Sequence, residues 1–160
     1  MIWQTTSISS DDTEKLGGLL GSRLGGGEVI ELRSDLGGGK TTFVHGLVRG
    51  AGSQDRVSSP TFTLNRIYET KKFEIHHFDF YRLTDPGILA DQLAEAVHDG
   101  GVVVVEWGDI VKDVLPDDRI SIEFKPVAQD SEERQINVNY GLKSAKVIKS
   151  VQNHWEETKP

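Results

Sequence analysis

The sequence predicts an α/β fold, a single three-layer domain built on a mixed parallel and antiparallel sheet. Three observations carry that prediction. Val102-Val103-Val104-Val105 is an apolar run without alternation, which describes a strand covered on both faces, as at the centre of an α/β sheet. Glu28–Arg33 reads as a strand that runs straight into a glycine loop and then an amphipathic helix. Pro60–Glu69 and Phe73–Tyr81 are two β-rich runs separated by only about three residues, whereas a parallel crossover needs about a dozen, so they form a hairpin and the sheet is mixed. The chain of 160 residues, 36% of them hydrophobic, suffices for one ordinary core.

The elements follow in order. Ser9, Ser10, Asp11 and Asp12 offer N-cap oxygens, and Glu14 lies three residues after Asp11. Leu16, Leu19, Leu20 and Leu24 recur at helical spacing, so a helix is predicted over 11–24 and stops at Gly25-Gly26-Gly27. Strand 28–33 leads into Ser34-Asp35-Leu36-Gly37-Gly38-Gly39-Lys40-Thr41-Thr42, after which Phe43, Val44, Leu47 and Val48 form an apolar helical face. A polar stretch, 53–59, precedes the hairpin, which turns at Lys71-Lys72. Asp85-Pro86 opens another helix, in which Leu89, Leu93 and Val97 repeat every four residues until Gly100-Gly101. The strand 102–107 follows. Segments 119–125 and 134–140 alternate as an antiparallel pair around the polar loop 129–133, extending the sheet at its edge. Val147, Val151 and Trp155 place a helix over 143–155 that frays beyond Glu156. Its apolar stripe covers either its own domain or a partner, and the first is the commoner use of such a face. The division expected is a main domain, 1–142, and a C-terminal helix or tail, 143–160.

Composition removes several classes of function. Eighteen Lys and Arg against 25 Asp and Glu leave a net charge of −7, which repels phosphate at long range, so the chain is not expected to bind nucleic acid stably alone. The absence of cysteine excludes disulfides, thiolate metal sites and cysteine nucleophiles. Met1-Ile2-Trp3-Gln4 does not open a secretory signal, and no segment reaches the roughly 20 apolar residues of a membrane span, so a cytoplasmic location is expected. The 17 glycines cluster at 17–18, 25–27, 37–39 and 100–101, as turns and close backbone approaches rather than a repeat.

The chemistry concentrates at Gly37-Gly38-Gly39-Lys40-Thr41. A phosphate-binding loop needs several backbone N–H groups converging on an anion, a helix N-terminus, a lysine that reaches the β- and γ-phosphates, and a hydroxyl on Mg²⁺. The strict pattern G-x-x-x-x-G-K-[ST] has Ser34 at its first glycine position. A left-handed backbone there would strain the serine by about 1 kcal/mol, and an ordinary β or αR backbone would leave it harmless. Such a site also needs a carboxylate at the tip of a buried strand. Glu106 and Asp79 are the two candidates, one for the metal and one for the attacking water. His76 and His77 are adjacent on a strand and point to opposite faces, so they cannot share a metal ion, and a supporting role is the better reading. Ser58-Ser59-Pro60-Thr61 reads either as a hydroxyl-bearing switch or as a plain loop.

Taken together, Ser34–Phe43, Ser59-Pro60-Thr61-Phe62, His77-Phe78-Asp79-Phe80-Tyr81-Arg82-Leu83 and Val105-Glu106-Trp107 closely resemble the TsaE family over about residues 8–140. The resemblance implies a P-loop NTPase fold with a mixed sheet of about seven strands. It also implies an ATP/ADP and Mg²⁺ site, and action with the TsaB and TsaD proteins in forming N6-threonylcarbamoyladenosine at position 37 of tRNAs reading ANN codons. ATP hydrolysis in that family resets the complex between turnovers. Carried over by motif, Lys40 holds the phosphates, Thr41 and Glu106 ligate Mg²⁺, and Asp79 orients or activates water. Lys40, Asp79 and Glu106 are then the catalytic set. Asp35, Leu36, Gly37, Gly38, Gly39, Thr41, Thr42, Thr61 and Trp107 complete the nucleotide site. The family usually reads Gly-Asp-Leu-Gly-Ala-Gly-Lys-Thr, from which Ser34 and Gly38 depart. The alternatives are a small P-loop kinase, for which the scattered Arg49, Arg56, Arg66 and Arg82 offer no lid, and a non-hydrolysing interaction module.

Overall fold

The computed structural model describes residues 1–35, 37–60 and 63–159. Leu36 and Thr61, both expected at the site, lie outside the described residues, as do Phe62 and Pro160. The strands are β1 (Ile2–Ser7), β2 (Val29–Arg33), β3 (Asn65–Glu69), β4 (Glu74–Asp79), β5 (Val102–Glu106), β6 (Ile120–Pro126) and β7 (Arg134–Asn139). The helices are α1 (Ser10–Gly21), α2 (Lys40–Gly50), α3 (Ile88–His98) and α4 (Ala145–Thr158), with short 3₁₀ turns at Gly108–Val111 and Leu142–Ser144.

One seven-stranded sheet runs in the order β1-β7-β6-β2-β5-β4-β3. β2 pairs in parallel with β5 and β6, and β4 in parallel with β5, while β1/β7, β6/β7 and β3/β4 are antiparallel. The mixed sheet is thus the predicted one, with the four-valine strand β5 buried at every residue. Side-chain alternation sorts the core into two layers. Ile75, Val102 and Val104 pack with Leu16 and Leu20 of α1, Phe43 and Leu47 of α2, and Ile148, Val151 and Trp155 of α4. Phe78, Val103 and Val105 pack with Leu89, Leu93 and Ala96 of α3 on the other face. The stripe of α4 therefore covers its own core, where Trp155 Nε1 donates to Thr5 Oγ1 at 2.8 Å.

Local differences from the predicted elements have physical causes. β1 was not foreseen: its inward residues are Trp3, Thr5 and Ser7, so the hydrophobic alternation that marks a strand is missing. The two hydroxyls are satisfied, Thr5 by Trp155 and Ser7 Oγ by Thr13 Oγ1 at 2.8 Å. β1, not β7, is consequently the edge strand on that side. The hairpin's first strand begins at Asn65 rather than Pro60, because Thr63 N and Leu64 N both donate to Pro60 O and Leu64 is left-handed at φ 67°. Helix α1 starts as expected, with Ser9 Oγ accepting from Asp12 N at 3.2 Å. It ends at Gly21, beyond which Arg23 N and Leu24 N donate to Leu20 O and Gly21 O, tightening the chain before the glycine run.

Helices α1 and α2 touch backbone to backbone. A Cβ on Gly17 would lie 2.2 Å from Phe43 O, on Gly21 2.0 Å from Leu47 O, on Gly46 1.9 Å from Glu14 O and on Gly50 2.2 Å from Gly18 O. These glycines are the close approaches that the Gly17-Gly18 cluster suggested. They hold α2, and the loop that precedes it, against the rest of the layer.

Candidate functional site

The loop before α2 uses its glycines to turn. Gly37 and Gly39 are left-handed at φ 74° and 102°, a conformation that costs an L side chain about 1–2 kcal/mol. Gly38 N donates to Asp35 O at 3.1 Å, closing a tight turn. Gly39 is the N-cap of α2 and makes no side-chain hydrogen bond to its first turn, which carries no acidic residue. The helix therefore presents its partial positive end to whatever anion enters.

Lys40 opens α2 and is only 7% exposed. Its Nζ donates to Ser34 O at 3.0 Å and lies 4.3 Å from the centre of the Trp107 ring. Burial pushes the ammonium below the usual lysine range, opposed by the charges of Glu106, Asp79 and Asp35.

The two candidate carboxylates end adjacent strands. Asp79 of β4 and Glu106 of β5 are register partners, each about 3% exposed, and by alternation they face the α1/α2 layer. Asp79 Oδ1 accepts from Tyr81 N at 2.9 Å. Glu106 Oε2 lies 2.7 Å from His77 Nε2, so the histidine supports the acid. His76 faces the other way and pairs with Glu74 at 3.2 Å, as the strand spacing required. Past β5 the chain turns at Trp107, left-handed at φ 56°, whose ring meets that of Tyr81 with centres 4.8 Å apart. Arg33 ties the end of β2 to Asp109 at 2.8 Å, fixing the 3₁₀ turn that follows Trp107.

Together these elements line one cleft. Its walls bring together Gly37, Gly38, Gly39, Lys40, Thr41, Thr42, Asp79, Glu106 and Trp107 from the residues named by the sequence. Asp35 instead lines an adjoining groove with Ser34, Trp107 and Gly108, and contributes its carbonyl to the loop turn. Ser59 lines the cleft beside the glycine loop, and Ser58 is anchored by its carbonyl, which accepts from Tyr68 Oη at 3.0 Å.

Ser10, Thr13, Tyr81, Glu132 and Arg134 also line the cleft, and sequence reasoning did not single them out as site residues. Arg134 Nε donates to Gly38 O at 3.3 Å and its Nη1 to Ser131 O and Glu133 O, so the β6–β7 connection braces the loop. Only the sheet order brings residue 134 to residue 38. Tyr81 did carry a signal, since it stands two residues after Asp79 in the same motif.

The donor set suits magnesium delivered with phosphates. Among the described residues no three His, Asp or Glu side chains converge as a metal site. Two strand-end carboxylates and the Thr41 hydroxyl offer hard oxygens, and Mg²⁺ ordinarily takes one or two carboxylates and fills its remaining positions with phosphate oxygens and water. The backbone of Ser34 is not left-handed, so the serine carries no conformational strain.

Comparison with known proteins places this arrangement in a family. The model of the family described as "Threonylcarbamoyl adenosine biosynthesis protein TsaE" matches residues 7–136. A tRNA threonylcarbamoyladenosine biosynthesis protein TsaE from Treponema pallidum (strain Nichols) is 38% identical over 128 residues, covering 79% of this chain and 94% of that protein. Its counterpart from Bacillus subtilis (strain 168) is 34% identical over 131 residues, 82% of this chain and 81% of that one. The crystal structure of Bacillus subtilis YdiB superposes with a TM-score of 0.78 at 27% identity, covering 96% of both chains.

Proposed function

The chain belongs to the TsaE family, and from that premise we propose that it is a Mg²⁺-dependent ATPase acting with TsaB and TsaD in forming N6-threonylcarbamoyladenosine on tRNAs that read ANN codons. Hydrolysis resets the partner complex between turnovers. The observation that carries the reading is the convergence of Lys40, Thr41, Asp79 and Glu106 in one cleft at the N-terminus of α2.

In this reading the loop N–H groups and Lys40 bind the triphosphate and neutralise charge that builds on the γ-phosphoryl group. Thr41 and Glu106 hold the metal, which when bound screens the phosphate oxygens against one another. Asp79 orients the attacking water, its carboxylate fixed by the Tyr81 amide. The work is positioning and electrostatic stabilisation, with no covalent intermediate on the protein. Trp107 and Thr42 border the bound nucleotide.

The net charge of −7 supports action through protein partners rather than by gripping tRNA alone. Among the described residues no helix is long and apolar enough to cross a membrane, and a cytoplasmic location goes with the proposed role.

The test is a Mg-ATP titration followed by tryptophan fluorescence, with phosphate release measured alone and with TsaB and TsaD. Saturable binding that Lys40→Ala abolishes, and turnover that rises with the partners, are expected. Binding without turnover in any combination would instead favour a non-hydrolysing module.

A further inference from the structure

The three glycines of the phosphate loop are there for different reasons. Among the described residues, a Cβ at Gly37 would meet nothing within 4 Å and one at Gly39 only Thr13 Cγ2 at 3.7 Å, so both are required by their left-handed backbones. Gly38 is not left-handed, yet it is buried, and a Cβ there would lie 2.3 Å from Ser34 Oγ and 2.5 Å from Ser34 Cβ. Its next neighbour, Asp35 O, is 3.0 Å away, a contact that asks the carbonyl to give by a few tenths of an ångström where the Ser34 atoms would have to move far more. What forbids a side chain at 38 is therefore Ser34.

Ser34 also holds the loop. Its Oγ donates to Asp35 O at 2.8 Å, the carbonyl that accepts from Gly38 N at 3.1 Å. Its own carbonyl accepts from Lys40 Nζ at 3.0 Å. One residue thus braces the turn, fills the space opposite position 38 and receives the ammonium of Lys40.

We propose that Ser34 is a positioning residue of the phosphate loop, setting with Gly38, as a compensated pair, the path that presents Lys40 to a nucleotide phosphate. Its consequence for affinity rests on the nucleotide-binding reading of the cleft; its packing does not. Residue 38 has to be glycine because residue 34 is serine.

The experiment compares the full-length protein with Gly38→Ala, Ser34→Ala, Ser34→Gly and the double variant Ser34→Gly/Gly38→Ala, measuring the Mg-ATP dissociation constant and the melting temperature of each. Overpacking at 38 should weaken binding by about tenfold or more in Gly38→Ala. The double variant should recover to within about threefold of wild type, because the second substitution removes the obstacle created by the first. Ser34→Ala, which keeps the Cβ and loses the brace, should weaken binding about threefold. Gly38→Ala binding like wild type, or a double variant no tighter than Gly38→Ala, would overturn the proposal. If wild type binds no Mg-ATP, the functional reading fails and the melting temperatures decide the pair. A drop in Gly38→Ala that Ser34→Gly restores upholds the packing relation, and a drop that persists in the double variant refutes it.

Discussion

His77 Nε2 stands 2.7 Å from Glu106 Oε2, with the histidine fully buried and the glutamate 3% exposed. A carboxylate has no hydrogen to give, so Nε2 donates, and among the described residues the buried Nδ1 makes no hydrogen bond. The bond leaves Glu106 with one oxygen committed to the protein, which fixes the orientation of the other. His77→Ala should cost about 1–3 kcal/mol of stability, because it strands a buried acceptor. It should also raise the Mg²⁺ concentration needed for half-maximal nucleotide binding. His77→Gln, whose amide nitrogen reaches a similar place, should recover part of both. Chemical denaturation and Mg²⁺ titration at fixed ATP check this, and equal losses in the two variants would count against an orienting role.

Trp107 should be the sole reporter of nucleotide among the three tryptophans. Trp3 and Trp155 are 5% and 2% exposed in the core beneath α1 and α4, whereas Trp107 lines the cleft and lies over Lys40. A Trp107→Phe variant should lose the ATP-dependent fluorescence change, with binding followed instead by calorimetry. A signal that survives in that variant would mean that the nucleotide perturbs the core.

The glycine contact between α1 and α2 predicts two very different alanine substitutions. Gly46→Ala places a methyl 1.9 Å from Glu14 O, so the helices must part, at a cost of about 1–3 kcal/mol or more. Gly52→Ala meets nothing within 4 Å among the described residues and is penalised by its φ of 92°, about 1–2 kcal/mol. Urea unfolding gives the two costs and Mg-ATP titration separates the variants, since parted helices should also weaken Mg-ATP binding while Gly52→Ala leaves it unchanged.

Tyr68 should ionise above the usual tyrosine range. Burial raises its pKa most, partly offset by the hydrogen bond that the phenol oxygen accepts from the Ser58 backbone N–H. The folded chain then keeps the phenol proton at a pH where the unfolded chain has lost it. The stabilisation is complete below the ordinary tyrosine value and declines as pH rises through it. Tyr68→Phe should therefore show a shallower loss of stability on the alkaline side, and the late step in the phenolate absorbance titration should disappear.

Much of this architecture was legible in the chain. The glycine loop before α2, the hairpin and the strand tips at Asp79 and Glu106 each depend on local pattern, because glycine runs, β-branched runs and helical periodicity act over a few residues. β1 was hidden because Thr5 and Ser7 occupy positions where an apolar residue marks a strand, and their partners, Trp155 and Thr13, are set by tertiary packing. Glu132 and Arg134 were invisible as parts of the cleft for a related reason. Nothing in their neighbourhood announces a site, and only the antiparallel return of β7 beside β6 swings Arg134 over Gly38. The partnership of His77 with Glu106 depends on the parallel register of β4 and β5, in which Asp79 faces Glu106 and His77 lies two residues back on the same side.

The cleft has unequal walls. On one side α2 rests on α1 through glycine backbones so close that neither helix can roll or slide without separating along several turns. Another side carries two aromatic rings, Tyr81 and Trp107, on segments just beyond strand ends. The glycine-packed side is thus the more tightly fixed wall of the cleft, and the glycine loop before α2 is carried on it. On the proposed function, a partner protein that reads the contents of the cleft would find more freedom to respond at Tyr81 and Trp107 than along the glycine-packed side.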